Sequence, residues 1–216
     1  MHLLNNYVKY LFCVLVFFFN INLLIFNIHS IYSVPQVTSS DVKKQIEICC
    51  TWGEKLTDGI LTYEITNAKP ETKELVISAL KYWEQNIEGV HFKEASNREQ
   101  VDIKISFRND NGKVAGQTIT NSDSKGFIFN NHILLAEKAF GKQLNKNLIE
   151  YIVKHEIGHA LGLGHANFNE SLMSSLVYHS HNEISDCERE AFIEANKWKL
   201  IENTLPKINK IKTYFC

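Results

Sequence analysis

Residues 155–165 read HEIGHALGLGH and concentrate the reactive side chains of the sequence in one short segment. His155 and His159 lie four positions apart. On a helix, four residues advance the axis by about 6 Å and turn it slightly more than once, so both imidazoles share one face. Such a face offers two nitrogens to a single zinc ion at about 2.0–2.1 Å each. Glu156 follows the first histidine, close to that metal without being needed to hold it, where a carboxylate can take a proton from water acidified by the ion. Gly162 comes three positions after His159, where a residue without a Cβ can end the helix in a left-handed turn. That turn swings His165 back as a third ligand. Three neutral imidazoles leave one coordination position open, the arrangement of a catalytic rather than a structural zinc. Chance supplies HExxH to a chain of this length with odds of about one in a few hundred, and the added glycine and histidine lower them about a thousandfold. Exposed histidines scattered on an ordinary amphipathic helix are therefore the weaker reading.

These residues need elements to position them. A helix is expected from about Asn145–Asn147 to Leu161, carrying the histidine pair. Before it, GILTYEI (Gly59–Ile65) alternates and is rich in β-formers, so it reads as a strand. Pro70 marks the start of a long helix whose apolar positions Leu75, Val76, Ala79, Leu80, Trp83 and Ile87 follow helical spacing, and Gly89 closes it. VHFKEA (Val90–Ala95), VDIKISF (Val101–Phe107), AGQTIT (Ala115–Thr120) and GFIFNNHILLAE (Gly126–Glu137) supply four further strands, with NDNG (Asn109–Gly112) as a turn. Ser185 and Glu188 form a candidate capping box for a last helix. The order β-α-β-β-β-β-α-α predicts an α+β fold, one mixed sheet against two helices with a small carboxy-terminal part beyond.

The chain has 216 residues, 44% of them hydrophobic, enough for one sizeable core. Its 23 basic and 24 acidic side chains give a net charge of −1, so there is no general electrostatic reason to expect a nucleic-acid partner. Residues 1–33 hold a single charged side chain, Lys9, ahead of LFCVLVFFF and INLLIF, the pattern of a secretory leader. The competing reading is an uncleaved signal-anchor over Tyr10–Ile28. Either way the rest of the chain is expected outside the cell, where Cys49, Cys50, Cys187 and Cys216 meet oxidising conditions. Adjacent Cys49 and Cys50 are poorly placed to bond each other, so links from this pair to Cys187 and Cys216 are expected, with free thiols as the alternative.

HExxHxxGxxH followed by a methionine turn resembles the metzincin zinc peptidases. Here the methionine is Met173, in SLMSS (Ser171–Ser175), which in that family forms an apolar floor beneath the zinc. Within the metzincins the chain looks most like the matrixins, because TW, LTYEI, a long helix with Trp83, DIKISF and GHALGLGH occur in that order over roughly residues 50–200. The resemblance implies a mixed five-stranded twisted sheet with two long helices, the active-site helix, a Met-turn and a C-terminal helix. It implies four segments: a leader or anchor over 1–33, a polar linker over 34–48, the peptidase domain over 49–205 and a tail over 206–216. The chain departs from the family at Ala166, where serine or threonine is usual, and in its short RNDNGKV loop (Arg108–Val114). With His132 the sole histidine between the fourth strand and the active-site helix, no second zinc is expected. Asp110 is a candidate calcium contact, although a solvated turn aspartate is favoured. No PRCGxPD-like segment precedes Cys49, so the thiol latch of zymogen matrixins is not expected.

The function expected from these residues and this resemblance is that of an exported, monomeric zinc endopeptidase acting on protein or peptide substrates. Its ligands are His155, His159 and His165, its general base and acid is Glu156, and Gly162 and Met173 shape the site. The substrate is expected antiparallel along Ala115–Thr120, with Leu176–Tyr178 as a wall of the pocket and Tyr178 as a candidate helper there. His179 and His181 are expected on the surface. Two rivals are a zinc-retaining peptide-binding module without turnover and a membrane-tethered form of the same enzyme.

Overall fold

The computed structural model describes residues 43–96, 100–110, 112–176, 182–196 and 212–216. The leader, Tyr178, His179 and His181 lie outside the described residues. Nine strands are present among the described residues: β1 (Gln45–Ile48), β2 (Ile60–Thr66), β3 (His91–Glu94), β4 (Ile103–Asp110), β5 (Gly116–Ser122), β6 (Ile128–Ala139), β7 (Lys142–Gln143), β8 (Leu163–Ala166) and β9 (Lys212–Phe215). Three α-helices accompany them: α1 (Pro70–Asn86), α2 (Lys146–Ala160) and α3 (Asp186–Ala195). A short 3₁₀ turn spans Gly53–Leu56.

The main sheet runs β3-β2-β4-β6-β5, with the two-residue β7 paired back onto β6. β2, β3, β4 and β6 are parallel, and β5 is antiparallel to β6. This is the expected mixed sheet of five strands in an α+β fold. β6 lies between β4 and β5 and buries Ile128, Ile133, Leu134 and Leu135, as an internal strand covered on both faces must. β5 ends the sheet, so one side of its backbone is left for another strand.

Helical spacing carries α1 onto the core through Val76, Ala79, Leu80 and Trp83. Pro70 starts it, where the missing N–H costs nothing. Trp83 is fully buried, and its indole N–H donates to the Lys154 carbonyl at 2.9 Å, tying α1 to α2. The Asn145 side chain caps α2 by accepting from the Leu148 N–H at 2.9 Å. At the other end, the Trp52 indole and the Asn131 amide both donate to the Ala160 carbonyl at 2.9 Å. A carbonyl in the last helical turn lacks an intrahelical partner, so these two buried donors satisfy it and hold the end of the helix in place. The capping box of α3 forms between Ser185 and Glu188 as expected.

The chain ends differ from the sequence reading. Gln45–Ile48, expected within a linker, is β1, and Lys212–Phe215, expected within a tail, is β9. They form a second sheet in the order β8-β1-β9, all antiparallel. β1 buries Ile46 and Ile48, an alternation too short to stand out among polar neighbours.

The expected cysteine links are also overturned: Cys49 bonds Cys50, and Cys187 bonds Cys216. The register explains why the crossed pairing fails. Gln45 faces Phe215 and the Cys216 N–H bonds the Lys44 carbonyl, so Cys216 lies at the opposite end of β1 from Cys49. Five residues of extended chain span about 16 Å, beyond the reach of a disulfide. Cys187, at the start of α3, has its Cα 5.3 Å from that of Cys216. That bond closes a loop across a sequence separation of 29. Replacing both Cys187 and Cys216 by alanine is expected to lower the unfolding free energy by about 3–4 kcal/mol, read from denaturant midpoints.

Candidate metal centre

His155 and His159 project from α2, and His165 comes from β8. Their ring centroids are separated by 4.6 Å (His155–His159), 4.8 Å (His159–His165) and 5.5 Å (His155–His165). One ligand atom from each ring lies within 4.8 Å of the other two. The reversal that achieves this occurs at Gly162, with φ +97°. Its carbonyl accepts from the Cys49 N–H at 3.0 Å, and a Cβ there would overlap the Cys50 carbonyl oxygen. Both the backbone angle and the space therefore require glycine. β8 then pairs with β1, Ile48 opposite Leu163 and Ile46 opposite Ala166, which carries His165 on a strand rather than a loose loop.

The imidazoles are oriented for a cation. His155 Nδ1 lies 2.8 Å from the Leu172 carbonyl and His159 Nδ1 lies 2.8 Å from the Leu163 carbonyl. A carbonyl oxygen only accepts, so each Nδ1 carries the proton and each Nε2 keeps its lone pair. Burial lowers the His155 pKa to about 4 and the His159 pKa to about 3, so both rings are neutral at physiological pH. Two neutral imidazoles with fixed tautomers, joined by the converging ring of His165, suit a zinc ion, and three protein ligands leave room for a further one.

Met173 is fully buried. It packs where Gly158 leaves space: a Cβ on Gly158 would overlap the Met173 sulfur and come within 3.1 Å of Trp83 Cζ2. The methionine turn is itself fastened. The Met173 carbonyl accepts from the Ala166 N–H at 2.8 Å, and the Ser171 hydroxyl bonds the carboxylate of fully buried Glu188, the capping residue of α3.

Glu156 lies against β5 and, with the three histidines, lines a cleft of about 490 Å³. Its Oε2 accepts from the Thr118 hydroxyl at 2.7 Å. Gly116 allows this approach, because a Cβ there would lie 2.6 Å from Glu156 Oε1. Burial raises the Glu156 pKa to about 7, against the opposing pull of the Thr118 hydrogen bond. A carboxyl group so placed can both take and return a proton near neutral pH.

The structure thus brings together His155, His159, His165, Glu156, Gly162 and Met173. His132 stands apart on β6, bonded to the Ser106 hydroxyl at 3.0 Å. The Asp110 side chain and Tyr178 lie outside what is described. Thr118, Gly116 and Gly158 escaped the sequence reading. Gly116 within a strand and Gly158 within a helix were signals, since each gives up local stability unless a neighbour needs the space.

The family model Matrixin matches residues 51–192 of the chain. A search of curated proteins finds no match.

Glycine-to-alanine inside a helix ordinarily stabilises. At Gly158 the opposite sign is expected: Gly158→Ala lowers the melting temperature and weakens zinc binding by displacing Met173, read by calorimetry and zinc titration.

Proposed function

We propose that this chain, which belongs to the matrixin family of zinc metallopeptidases, is an exported endopeptidase in which His155, His159 and His165 hold one catalytic zinc and Glu156 moves the proton. The observation that carries this reading is the meeting of three convergent imidazoles and one buried carboxyl group in a cleft bounded by an edge strand. Zinc bound there supplies Lewis acidity, making water acidic enough to attack and polarising the peptide carbonyl. Glu156 accepts the proton of the attacking water and delivers it to the departing amine. Thr118 holds the carboxylate in position through Oε2 while the low-polarity surroundings keep its proton affinity high. Gly162 and Met173 shape the site without touching the substrate.

The free edge of β5 receives the peptide antiparallel, so that main-chain hydrogen bonds bind many sequences alike. Tyr178 stands as a candidate for the pocket wall. Calcium has no assigned ligand beyond Asp110, which, expected in a turn, instead ends strand β4, where it pairs with Lys138. Export is supported by the leader pattern over residues 1–33 and by two disulfides, which persist in oxidising compartments. Among the described residues no helix is long and apolar enough to cross a membrane. Sequencing the amino terminus of the exported protein distinguishes a secreted monomer from a tethered one.

The test is digestion of an unstructured protein by the purified chain. Cleavage is expected with zinc, lost with a chelator and restored by adding zinc back. Glu156→Ala is expected to slow cleavage by about 10²–10⁴-fold while retaining zinc. A protein that binds zinc and peptide yet never cleaves is instead the binding module. Thr118→Val is expected to lower kcat more than it changes KM, with Thr118→Ser restoring most of the loss.

A further inference from the structure

Phe140 occupies a position that its own chemistry does not favour. It and Gly141 form the two-residue turn between β6 and β7, with φ +52° and +70°. Positive φ at both central residues is the type I′ pattern, which asparagine and glycine adopt far more readily than an aromatic residue. Nor does burial offset this, because Phe140 is 68% exposed. The turn is pinned against the β4–β5 connection, where the Phe140 N–H donates to the Gly112 carbonyl at 2.7 Å. Val114, on that connection, is also exposed. Phe140 and Val114 both line the cleft that holds the three histidines and Glu156. A disfavoured backbone carrying an exposed ring at the rim of a reactive cleft points to a role in binding.

We infer that Phe140 and Val114 form an apolar shelf that selects substrates with an aliphatic or aromatic side chain two to three residues beyond the scissile bond. The inference rests on the endopeptidase reading and its antiparallel peptide. Glu156 meets β5 at Gly116 and Thr118, which sets the position of the reacting bond. A peptide antiparallel to β5 runs opposite to Gly116→Ser122, so its carboxy-terminal half heads toward Val114 and Phe140. Val114 precedes Gly116 by two residues, about 7 Å of extended chain, which corresponds to two residues of substrate. An apolar side chain there covers surface that water otherwise meets on both partners.

The test uses the full zinc-loaded chain, its Phe140→Asn variant and two peptides that differ only by leucine or asparagine at that substrate position. Asparagine suits the turn, so the variant is expected to melt no lower than the parent. The parent is expected to prefer the leucine peptide about tenfold in kcat/KM, and Phe140→Asn to reduce the preference to below about twofold. Val114→Ser is expected to reduce it in the same direction. A second arm measures binding of both peptides to Glu156→Ala by fluorescence anisotropy, where the same preference is expected and the same loss on adding Phe140→Asn. Cleavage with no preference at this position, or a preference that survives both substitutions, overturns the shelf and leaves the endopeptidase reading intact. If no peptide is cleaved, the endopeptidase reading fails, and equal binding of the two peptides overturns the shelf separately.

Discussion

The site depends on a chain reversal packed too tightly for any side chain. Helical hydrogen bonding alone places His155 and His159 on one face of α2, but it carries the following residues away from that face. Gly162 turns the chain back with φ +97° directly against the Cys50 carbonyl, and β8 then brings His165 to the other two rings. The turn is held by the Cys49 N–H, just beyond β1, and by the pairing of Ile48 in β1 with Leu163. β1 is in turn paired with β9, whose neighbour Cys216 is bonded to Cys187 at the start of α3. Residues at both ends of the described chain therefore converge on the third histidine.

The same economy of space recurs on the other two sides of the cluster. Gly158, between the two helical histidines in sequence, admits Met173, and Gly116 admits Glu156. Each glycine lets a functional group approach a backbone at a distance that a Cβ would forbid. The polar groups caught in these close contacts are satisfied: Ala160 by Trp52 and Asn131, Glu156 by Thr118, Ser171 by Glu188. Burial combined with satisfied hydrogen bonds fixes ring tautomers and carboxylate orientation before a metal or substrate arrives, which limits the reorganisation that chemistry requires.

Much of this was legible in the residues. HEIGHALGLGH announced its own geometry because helical periodicity and glycine conformation are local properties. The long helix from Pro70, the alternating strand ending near Ile65 and the Ser185–Glu188 capping box were readable for the same reason. What escaped depends on contacts distant in sequence. β1 and β9 are four residues each, and neither has a pattern that distinguishes it until the other lies alongside. The cysteine pairing followed from their antiparallel register, which composition does not carry. Thr118 became significant only once β5 lay against α2, 38 residues away in sequence. Phe140 carries no signal in the sequence, because its positive φ and its exposure belong to the turn it forms with Gly141.

The central claim is that three imidazoles, and no thiolate, hold one zinc ion. Zinc X-ray absorption fine structure of the loaded protein tests it most directly. The account predicts three histidine nitrogens and one oxygen ligand, with zinc–nitrogen distances of about 2.0–2.1 Å and no sulfur. A sulfur scatterer at about 2.3 Å, or fewer than three imidazoles around the metal, would contradict it.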